Sequence, residues 1–307
     1  KPDNISIVIS QEMEKFTSDI LKAHSWQHPK TDLIFAIQDK QLGTANAVEA
    51  GLKSLKKIGD VVLVLYGDTP LIKASTLEMM IDNISKQKNT VCVLSFNYSE
   101  ENKYGRLVVD QNQLDRIIEF KDASPQEKKI TLCNSGVLAI DGSEINKLLA
   151  TINNHNASGE YYLTDIVGSA TKQNLSCGFI PTDKKEVMGV NSRAELAQAE
   201  KIKQKEIRQN LMEAGVTMPN PKSVYFSFDT QIANDVIIHP NVVFGTGVEI
   251  AANVEIKSFS HIEGAKISSG AIVGPFARIR PETTIGEDAR IGNFVEIKNS
   301  TIKKGAK

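Results

Sequence analysis

The sequence predicts an α/β domain followed by a parallel β-helix, with one long polar helix between them. Apolar, strand-like runs alternate with helix-like segments up to about residue 191. Residues 192–214 are rich in Ala, Glu, Lys and Gln and contain no Pro or Gly, and apolar residues recur every six positions after residue 230. Strand–helix alternation is typical of layered α/β folds, and a six-residue period is typical of a β-helix. We therefore expect an α/β domain at 1–191, a connector at 192–221 and a repeat domain at 222–307.

Composition excludes several classes of protein. The formal net charge of the 307 residues is −1, so no basic field indicates a nucleic acid or an anionic membrane as partner. No apolar run is long enough to span a bilayer, and no signal peptide is recognisable. The three cysteines, Cys92, Cys133 and Cys177, are widely spaced, which favours reduced thiols over a disulfide framework. We expect a cytoplasmic protein.

The first domain is predicted to alternate strands with helices in a three-layer arrangement with right-handed crossovers. The predicted strands cover 5–9, 33–37, 61–65, 90–96, 106–109, 117–122 and 132–137, and another ends within 186–191. The predicted helices cover 11–23, 44–55 and 75–85, and a further helix begins after the segment 159–165.

The run of apolar residues at 61–65 predicts a strand that is buried on both faces of a parallel sheet. It ends in the turn-forming sequence Gly67-Asp68-Thr69-Pro70. Because ligands bind beyond the carboxyl ends of strands in open α/β sheets, Asp68 is a candidate ligand for Mg²⁺ shared with substrate phosphates. The alternative is that Asp68 only begins a turn or caps the next helix.

Other polar residues follow the same placement. Gly43 and Thr44 lie in a strand-to-helix loop, where backbone N–H groups suit a phosphate or a nucleotide edge, although Thr44 also fits an ordinary helix cap. Glu119, Asn134 and Asn191 lie in or next to short predicted strands. Each by itself is explained by a turn or a cap; their recurrence at strand ends favours a binding cleft.

The repeat has one branched or aromatic residue every six positions, with a single five-residue step between 262 and 267. These residues are Ile232, Ile238, Phe244, Ile250, Ile256, Ile262, Ile267, Val273, Ile279, Ile285, Ile291 and Ile297. Neither strands nor helices have this period, so we expect each residue to point into the core of a coil. Gly245, Gly274, Gly286 and Gly292 follow core residues, where small residues ease tight corners.

Short motifs recur along both predicted domains. Those of the first domain are Gln38 with Gln41-Leu-Gly-Thr44, Tyr66-Gly-Asp68, Tyr104-Gly-Arg106, Ile118-Glu-Phe-Lys-Asp122, Asn134-Ser-Gly136, Gly159-Glu-Tyr-Tyr-Leu-Thr-Asp165 and Gly189-Val-Asn191. Those of the repeat are Gly274-Pro-Phe-Ala-Arg-Ile-Arg-Pro281 and Gly292-Asn-Phe-Val-Glu-Ile-Lys298. On these motifs the whole chain resembles the GlmU family, the bifunctional bacterial UDP-N-acetylglucosamine pyrophosphorylases / glucosamine-1-phosphate N-acetyltransferases. The resemblance implies a Rossmann-like nucleotidyltransferase domain and a left-handed parallel β-helix, both incomplete.

The resemblance also implies roles for individual residues. Gln38, Gly43 and Thr44 are expected to contact the uracil end of the nucleotide, and Asp68 and Asn191 to hold Mg²⁺. Gly105, Glu119 and Asn134 are expected to bind N-acetylglucosamine, with Tyr66, Gly67, Tyr161 and Thr164 lining the site. Arg280 and Lys298 are expected to bind the phosphate of glucosamine-1-phosphate. UTP and acetyl-CoA are the implied co-substrates, the products serve cell-wall and lipopolysaccharide synthesis, and a homotrimer is expected.

Two features of the family have no match in this sequence. They are the glycine-rich loop of the opening strand and the histidine that acts as base in acetyl transfer, so no catalytic residue is identified. The chain begins at Lys1 without methionine and stops at Lys307 within a repeat, which we interpret as a chain shortened at both ends. We expect both activities to be impaired in this chain alone. The alternatives are a nucleotidyltransferase for another sugar-1-phosphate and an inactive binding or assembly remnant.

Overall fold

The computed structural model describes residues 2–17, 31–100, 102–110 and 113–307. The chain divides into two compact units, Lys1–Asn191 and Ser192–Lys307. Each unit has its own apolar core.

The first unit contains eight described strands and four described α-helices. The strands are β1 Asn4–Ser10, β2 Asp32–Gln38, β3 Val61–Val64, β4 Val91–Asn97, β5 Arg106–Asp110, β6 Gln113–Ile118, β7 Leu132–Asp141 and β8 Cys177–Pro181. The helices are α1 Thr44–Ser54, α2 Ala74–Ser85, α3 Ile145–Leu149 and α4 Asp165–Lys172. Of the predicted helix 11–23, the structure describes a 3₁₀ turn at Gln11–Met13, and positions 18–23 lie outside the described residues.

The main sheet is mixed rather than parallel. Its order is β6-β5-β7-β4-β8, and β3 also pairs with β7, on the edge opposite β4. Strand β7 runs antiparallel to both β3 and β4, whereas β4 and β8 are parallel. The described residues between β4 and β7 form the β5–β6 hairpin and a 3₁₀ turn at Glu127–Lys129 but no α-helix, and β7 returns antiparallel to β4. Strands β1 and β2 form a separate parallel pair.

Apolar clusters cover both faces of the main sheet. One contains Val91, Val93, Leu138 and Ile140 of the sheet together with residues of α1, α3 and α4. The other contains alternate sheet residues such as Cys92 and Leu94 with Met80 and Ile84 of α2. Because successive residues of β4 point to opposite faces, both faces of this strand are covered, and Val91–Phe96 are all buried.

The prediction for residues 61–65 was wrong in two respects. All four residues of β3 are half-buried rather than buried, and Leu65 is 46% exposed. Strand β3 is also antiparallel to β7, and β7 is its only partner within the described residues. The sequence run showed the apolar character of the strand but not which strand would pair with it.

The second unit opens with α5, Arg193–Glu213, and continues as thirteen short strands. These are β9 Gln231–Ile232, β10 Ile237–Ile238, β11 Val243–Phe244, β12 Glu249–Ile250, β13 Glu255–Ile256, β14 His261–Ile262, β15 Ala265–Ile267, β16 Ile272–Val273, β17 Arg278–Ile279, β18 Thr283–Ile285, β19 Arg290–Ile291, β20 Glu296–Ile297 and β21 Thr301–Ile302. They build three parallel sheets, ordered β10-β13-β16-β19, β11-β14-β17-β20 and β21-β18-β15-β12-β9. Three parallel sheets visited in rotation form a three-sided β-helix, which confirms the predicted fold class.

The predicted core residues lie in register on successive coils. Ile232, Ile250, Ile267, Ile285 and Ile302 pair in one column, so coils of 18 and 17 residues alternate. Ile238, Ile256, Ile279 and Ile285 are completely buried. A second five-residue step, from Ile297 to Ile302, continues the pattern beyond the predicted series.

The tight corners lie three residues before each core residue and not directly after it. Left-handed backbone occurs there at Asp235, Asn241, Gly247, Asn253, Phe259, Gly264, Gly270, Phe276, Glu282, Asp288, Phe294 and Asn299. Of the four glycines assigned to corners, only Gly274 has a positive φ, of 86°. Gly286 serves close packing instead, because a Cβ there would lie 2.7 Å from the carbonyl oxygen of Ile302.

Helix α5 packs on the first coil, which the prediction of a simple connector had missed. Ile207 and Leu211 contact the β-helix core, and Gln204 and Arg208 are buried. Gln204 donates from Nε2 to the Phe226 carbonyl at 2.6 Å and accepts from the Phe226 N–H at 3.1 Å. Arg208 donates to the Val224 carbonyl at 3.1 Å. The polar residues of this helix therefore satisfy backbone groups of the first coil.

Candidate active site

The loop after β2 is held against the segment that leads into α4. The Tyr161 N–H donates to the Leu42 carbonyl at 2.8 Å, and the Ala45 N–H donates to the Tyr161 carbonyl at 3.0 Å. Gly43 adopts a φ of +125°, and a Cβ there would lie 2.5 Å from the Tyr161 carbonyl oxygen. Only glycine fits this close approach in this conformation. Thr44 Oγ1 accepts from the Leu163 N–H at 2.9 Å, so the hydroxyl joins two segments 119 residues apart.

Gln38 is tied to the same loop. Its Nε2 donates to the Gly43 carbonyl at 3.2 Å and to Asn46 Oδ1 at 2.9 Å. Asn46 thus joins this group through its side-chain oxygen. The sequence signal for it was its position two residues after Thr44, in the first turn of α1.

A second group of predicted residues lies together at the β5–β7 edge. The Asn134 N–H donates to the Gly105 carbonyl at 2.9 Å, and Thr164 Oγ1 donates to Glu119 Oε1 at 2.9 Å. Gly105 lies beside the carboxylate, because a Cβ there would be 3.4 Å from Glu119 Oε2. Gly105, Asn134 and Thr164 are buried and Glu119 is half-buried, so this group forms a polar wall with little solvent.

Burial sets the electrostatics of this wall. It raises the pKa of Glu119 above the ordinary carboxyl value, and the Thr164 hydrogen bond only partly opposes this effect. The negative charges of Asp165 and Asp122 raise the Glu119 pKa further. The wall therefore presents a carboxyl that is more basic than usual, which is common at functional sites.

Asp68 and Asn191 lie next to each other although 123 positions separate them in the sequence. The Val190 N–H donates to the Asp68 carbonyl at 2.8 Å. A Cβ on Gly189 would lie 3.5 Å from Asp68 Oδ2 and 3.6 Å from Asn191 Nδ2. Both side chains are exposed, so a carboxylate and a carboxamide are presented to solvent side by side.

Tyr66 lies between these groups. Its ring contacts Gly136, and Thr44 lies near enough to its hydroxyl to lower the Tyr66 pKa. Burial raises the Tyr66 pKa, and so do the negative charges of Glu119 and Asp68. One aromatic side chain thus connects the Thr44 loop, the Glu119 wall and the Asp68 pair.

The segment before Asn191 is not a strand. The last strand of this unit is β8, and residues 182–191 form turns and irregular backbone. Glu186 accepts from the Lys73 N–H through Oε1 and from Thr182 Oγ1 through Oε2, both at 2.9 Å. Residues 182–191 are thus held by hydrogen bonds to loops rather than by pairing with a strand. Sequence reasoning gave Glu186 no function, because a single carboxylate in a short polar segment has no distinguishing pattern.

In the second unit, Arg280 and Lys298 follow paired core residues on adjacent coils. The Arg280 N–H donates to the Ile297 carbonyl at 2.8 Å, and its guanidinium forms an ion pair with Glu296 at 2.9 Å. Lys298 is exposed. The two cations are therefore on one side of the coil, and Arg280 already has a carboxylate partner.

The first unit thus has the features of a nucleotide-processing α/β domain, with polar groups converging beyond strand ends, and the second unit is a hexapeptide-type β-helix. A family model described as nucleotidyl transferase matches residues 1–186, and one described as bacterial transferase hexapeptide (six repeats) matches 229–264 and 264–299. The chain belongs to the nucleotidyl transferase family.

Three curated relatives named bifunctional protein GlmU illustrate the similarity. The protein from Paramagnetospirillum magneticum is 43% identical over 307 residues, covering 100% of this chain and 66% of the relative. The protein from Zymomonas mobilis is 47% identical over 272 residues, covering 88% and 60%, and that from Roseobacter denitrificans is 46% identical over 212 residues, covering 69% and 47%. The resemblance to GlmU proteins is confirmed, and the chain spans about half to two thirds of the length of these relatives.

Proposed function

We propose that the chain contributes the sites of a bifunctional enzyme that transfers a uridylyl group to N-acetylglucosamine-1-phosphate and an acetyl group to glucosamine-1-phosphate. The observation that carries the first activity is the pairing of Asp68 with Asn191 through the Val190–Asp68 hydrogen bond of 2.8 Å. In this proposal the Asp68 carboxylate and the Asn191 amide oxygen share one ion, and the polar wall of Gly105, Glu119 and Asn134 binds the sugar. Similarity to GlmU proteins over the whole chain supports this assignment.

The donor chemistry fits a hard divalent cation, and we propose Mg²⁺. Oxygen ligands from one or two side chains, completed by substrate phosphates and water, are what Mg²⁺ takes in nucleotide-processing enzymes. No cluster of three or more His, Cys, Asp or Glu side chains suited to a metal occurs in the described ranges. The ion would therefore depend on Asp68, Asn191 and the nucleotide together, and it would supply charge neutralisation at the phosphates.

The residues of the wall select the sugar in this proposal. The Asn134 amide and the Glu119 carboxylate offer both donors and acceptors to sugar hydroxyl and N-acetyl groups, and Tyr161 and Thr164 close the same side. The loop of Gln38, Gly43 and Thr44 presents backbone groups to the uracil edge. Gly43 keeps this loop within hydrogen-bonding distance of the Tyr161 segment.

The reaction needs positioning more than covalent chemistry. A phosphate oxygen of the sugar-1-phosphate attacks the α-phosphorus of UTP, the bond from that phosphorus to the bridging β-oxygen breaks, and pyrophosphate leaves. Holding the two substrates in line contributes through proximity, and charge stabilisation contributes through fixed dipoles and cations. The residues of this chain orient the sugar and the uridine on either side of Tyr66.

Ligand binding tests the nucleotidyltransferase assignment. In calorimetric titrations with Mg²⁺, UDP-N-acetylglucosamine is expected to bind the full chain, UDP-glucose at least tenfold more weakly, and the Asp68→Ala variant to lose most of the affinity. Preferential binding of UDP-glucose would favour another sugar-1-phosphate as substrate. Binding without any release of pyrophosphate from UTP would favour an inactive binding remnant.

For the second unit we propose that Arg280 and Lys298 bind the phosphate of glucosamine-1-phosphate, with acetyl-CoA as acetyl donor. Arginine offers a bidentate fork and lysine a point charge. The Glu296 carboxylate that pairs with Arg280 holds the guanidinium in place before substrate arrives. The Arg280→Ala and Lys298→Ala variants should each weaken glucosamine-1-phosphate binding in calorimetry, while Lys266→Ala, which removes an exposed cation of another sheet, should not.

We further propose that the β-helix assembles as a homotrimer in the cytoplasm. A column of stacked, exposed rings supports assembly: Phe259 and Phe276 have centroids 5.0 Å apart, and Phe276 and Phe294 4.9 Å. These rings are 54%, 44% and 76% exposed, and contiguous exposed apolar surface marks interaction sites.

All three cysteines are buried and unpaired, which fits a reducing compartment. No helix among the described residues is long and apolar enough to cross a membrane.

A further inference from the structure

Glu186 is a buried carboxylate that links two distant loops. It is 7% exposed, and its two oxygens accept hydrogen bonds from the Lys73 N–H and from Thr182 Oγ1. Lys73 is the N-cap residue of α2 and has no side-chain cap of its own. Glu186 therefore attaches the start of α2 to the chain 113 residues later.

The same two loops carry the proposed metal ligands. Asp68 precedes Lys73 by five residues, and Asn191 follows Glu186 by five residues. The loops are joined at one end by the Val190–Asp68 hydrogen bond and at the other by Glu186 and Lys73. Between these links, Val187 is 4% exposed and belongs to the apolar cluster that includes Met80 of α2.

The two loops also determine where the proposed ligands lie. Both Asp68 and Asn191 are exposed, and both lie on loops rather than on strands. Fixing the two loops to each other therefore restricts the positions that these two side chains can take. Buried hydrogen bonds between charged and neutral groups are among the stronger ones available for this.

We propose that Glu186 is a positioning residue that sets the separation of Asp68 and Asn191 and thereby the affinity of the divalent-metal site. This inference rests on the proposed metal role of that pair. Glu186 touches neither ion nor substrate and acts through the two loops. Partners that orient metal ligands from behind typically change metal affinity about 10–100-fold when removed.

The test is Mn²⁺ binding to the full chain in the presence of UDP-N-acetylglucosamine, followed by the paramagnetic resonance signal of free Mn²⁺. Glu186→Ala is expected to weaken binding about tenfold or more. Glu186→Gln is expected to bind close to the original protein, since its Oε1 can accept from the Lys73 N–H and its Nε2 can donate to Thr182 Oγ1. Ile145→Ala, a core substitution in α3, controls for general loss of stability.

The outcomes separate the inference from the function on which it rests. If the unmodified, folded chain binds no Mn²⁺ with the nucleotide sugar, the proposed function fails. If that chain binds and Glu186→Ala binds within twofold of it, the positioning role fails. Should Glu186→Ala not fold, Glu186→Leu keeps the buried position filled but accepts no hydrogen bond from the Lys73 N–H, and unchanged Mn²⁺ affinity in that folded variant would equally reject the role.

Discussion

The edge of the Tyr66 ring occupies the space that a Cβ at Gly136 would need. Gly136 also has a φ of +88°, in the region that L-residues rarely adopt. The position of the ring thus depends on a missing side chain 70 residues later. Because Tyr66 connects the Thr44 loop with the carboxylates of Glu119 and Asp68, its position affects the whole candidate site.

Gly136→Ala should therefore lower both stability and ligand affinity. The variant combines steric overlap with backbone strain, and we expect the free energy of unfolding to fall by about 3 kcal/mol. Gly159→Ala is the matched control: φ is +67°, but no atom lies within 4 Å of the new Cβ, so only about 1 kcal/mol of strain is expected. Urea unfolding compares the two variants, and equal losses would show that the Tyr66 contact is unimportant.

Glu119→Gln should raise stability at neutral pH while weakening binding of the sugar. Burial raises the pKa of Glu119, so the folded state disfavours the ionised carboxyl relative to the unfolded state. The sign follows from linkage: stability contributed by the neutral carboxyl is present below the ordinary carboxyl pKa and is lost as pH rises through the folded pKa. Glutamine does not ionise, so the Glu119→Gln variant does not lose this stability as pH rises. The difference in stability between the variant and the original protein should therefore vanish toward pH 4.

Unfolding midpoints measured between pH 4 and pH 8 check this prediction. Glu160→Gln, which makes the same substitution at an exposed carboxylate just before Tyr161, is the matched control. A Glu119→Gln variant that is less stable than the original protein at pH 8 would contradict the assigned cause of the pKa shift.

Gln204→Ala should destabilise the second unit far more than Gln209→Ala. Gln204 is 2% exposed and bonds both the N–H and the carbonyl of Phe226, so its removal leaves two backbone groups without partners. Each such group costs about 1–3 kcal/mol, and we expect a loss of at least about 2 kcal/mol. Gln209 is exposed and its side chain bonds Glu213 on the same helix, so its loss should cost less than about 0.5 kcal/mol. Thermal unfolding of both variants makes the comparison, and similar midpoints would refute the assigned role.

Phe276→Asn with Phe294→Asn should reduce self-association without unfolding the β-helix. Both positions have left-handed backbone, with φ of 55° and 56°, and asparagine tolerates that conformation well. Asn241 and Asn253 already occupy equivalent corners. Light scattering over a range of concentrations should report a lower mass for the double variant. Phe228→Asn changes an 84% exposed ring outside the column and should leave the mass unchanged; an unchanged mass in both variants would remove the column from the interface.

The repeat was predictable from sequence in far greater detail than the sheet. One inward residue per step is enough to fix coil register, because a parallel β-helix repeats the same local contact along its length. The pairing of β3 with β7 was not predictable, since strand partners depend on chain reversals that apolar runs do not encode. The corner positions were misplaced because glycine was taken as their marker, whereas Asn, Asp and even Phe fill most of them.

The candidate site shows the same division. The sequence pointed to Asp68, Asn191, Glu119 and Thr164 as candidates. The structure places Asp68 near Asn191 and joins Thr164 to Glu119 by a hydrogen bond. Their supports were not found, because Glu186 and Asn46 act through contacts across long sequence separations or with side-chain partners that no spacing specifies. Gln204 was hidden for another reason: a buried amide that mimics a strand looks, in sequence, like a solvated surface residue.

The side-chain amide of Gln204 also affects solubility. The end of a β-helix that nothing covers has unpaired backbone N–H and C=O groups. These groups can pair with a strand of another molecule, which leads to edge-to-edge aggregation. Helix α5 covers this end of the β-helix, because Gln204 bonds both the backbone N–H and the backbone carbonyl of Phe226. These two groups are therefore not available to a strand of another molecule. The polar sequence of α5, which predicted a simple connector, thus protects the first coil of the β-helix from pairing with other molecules.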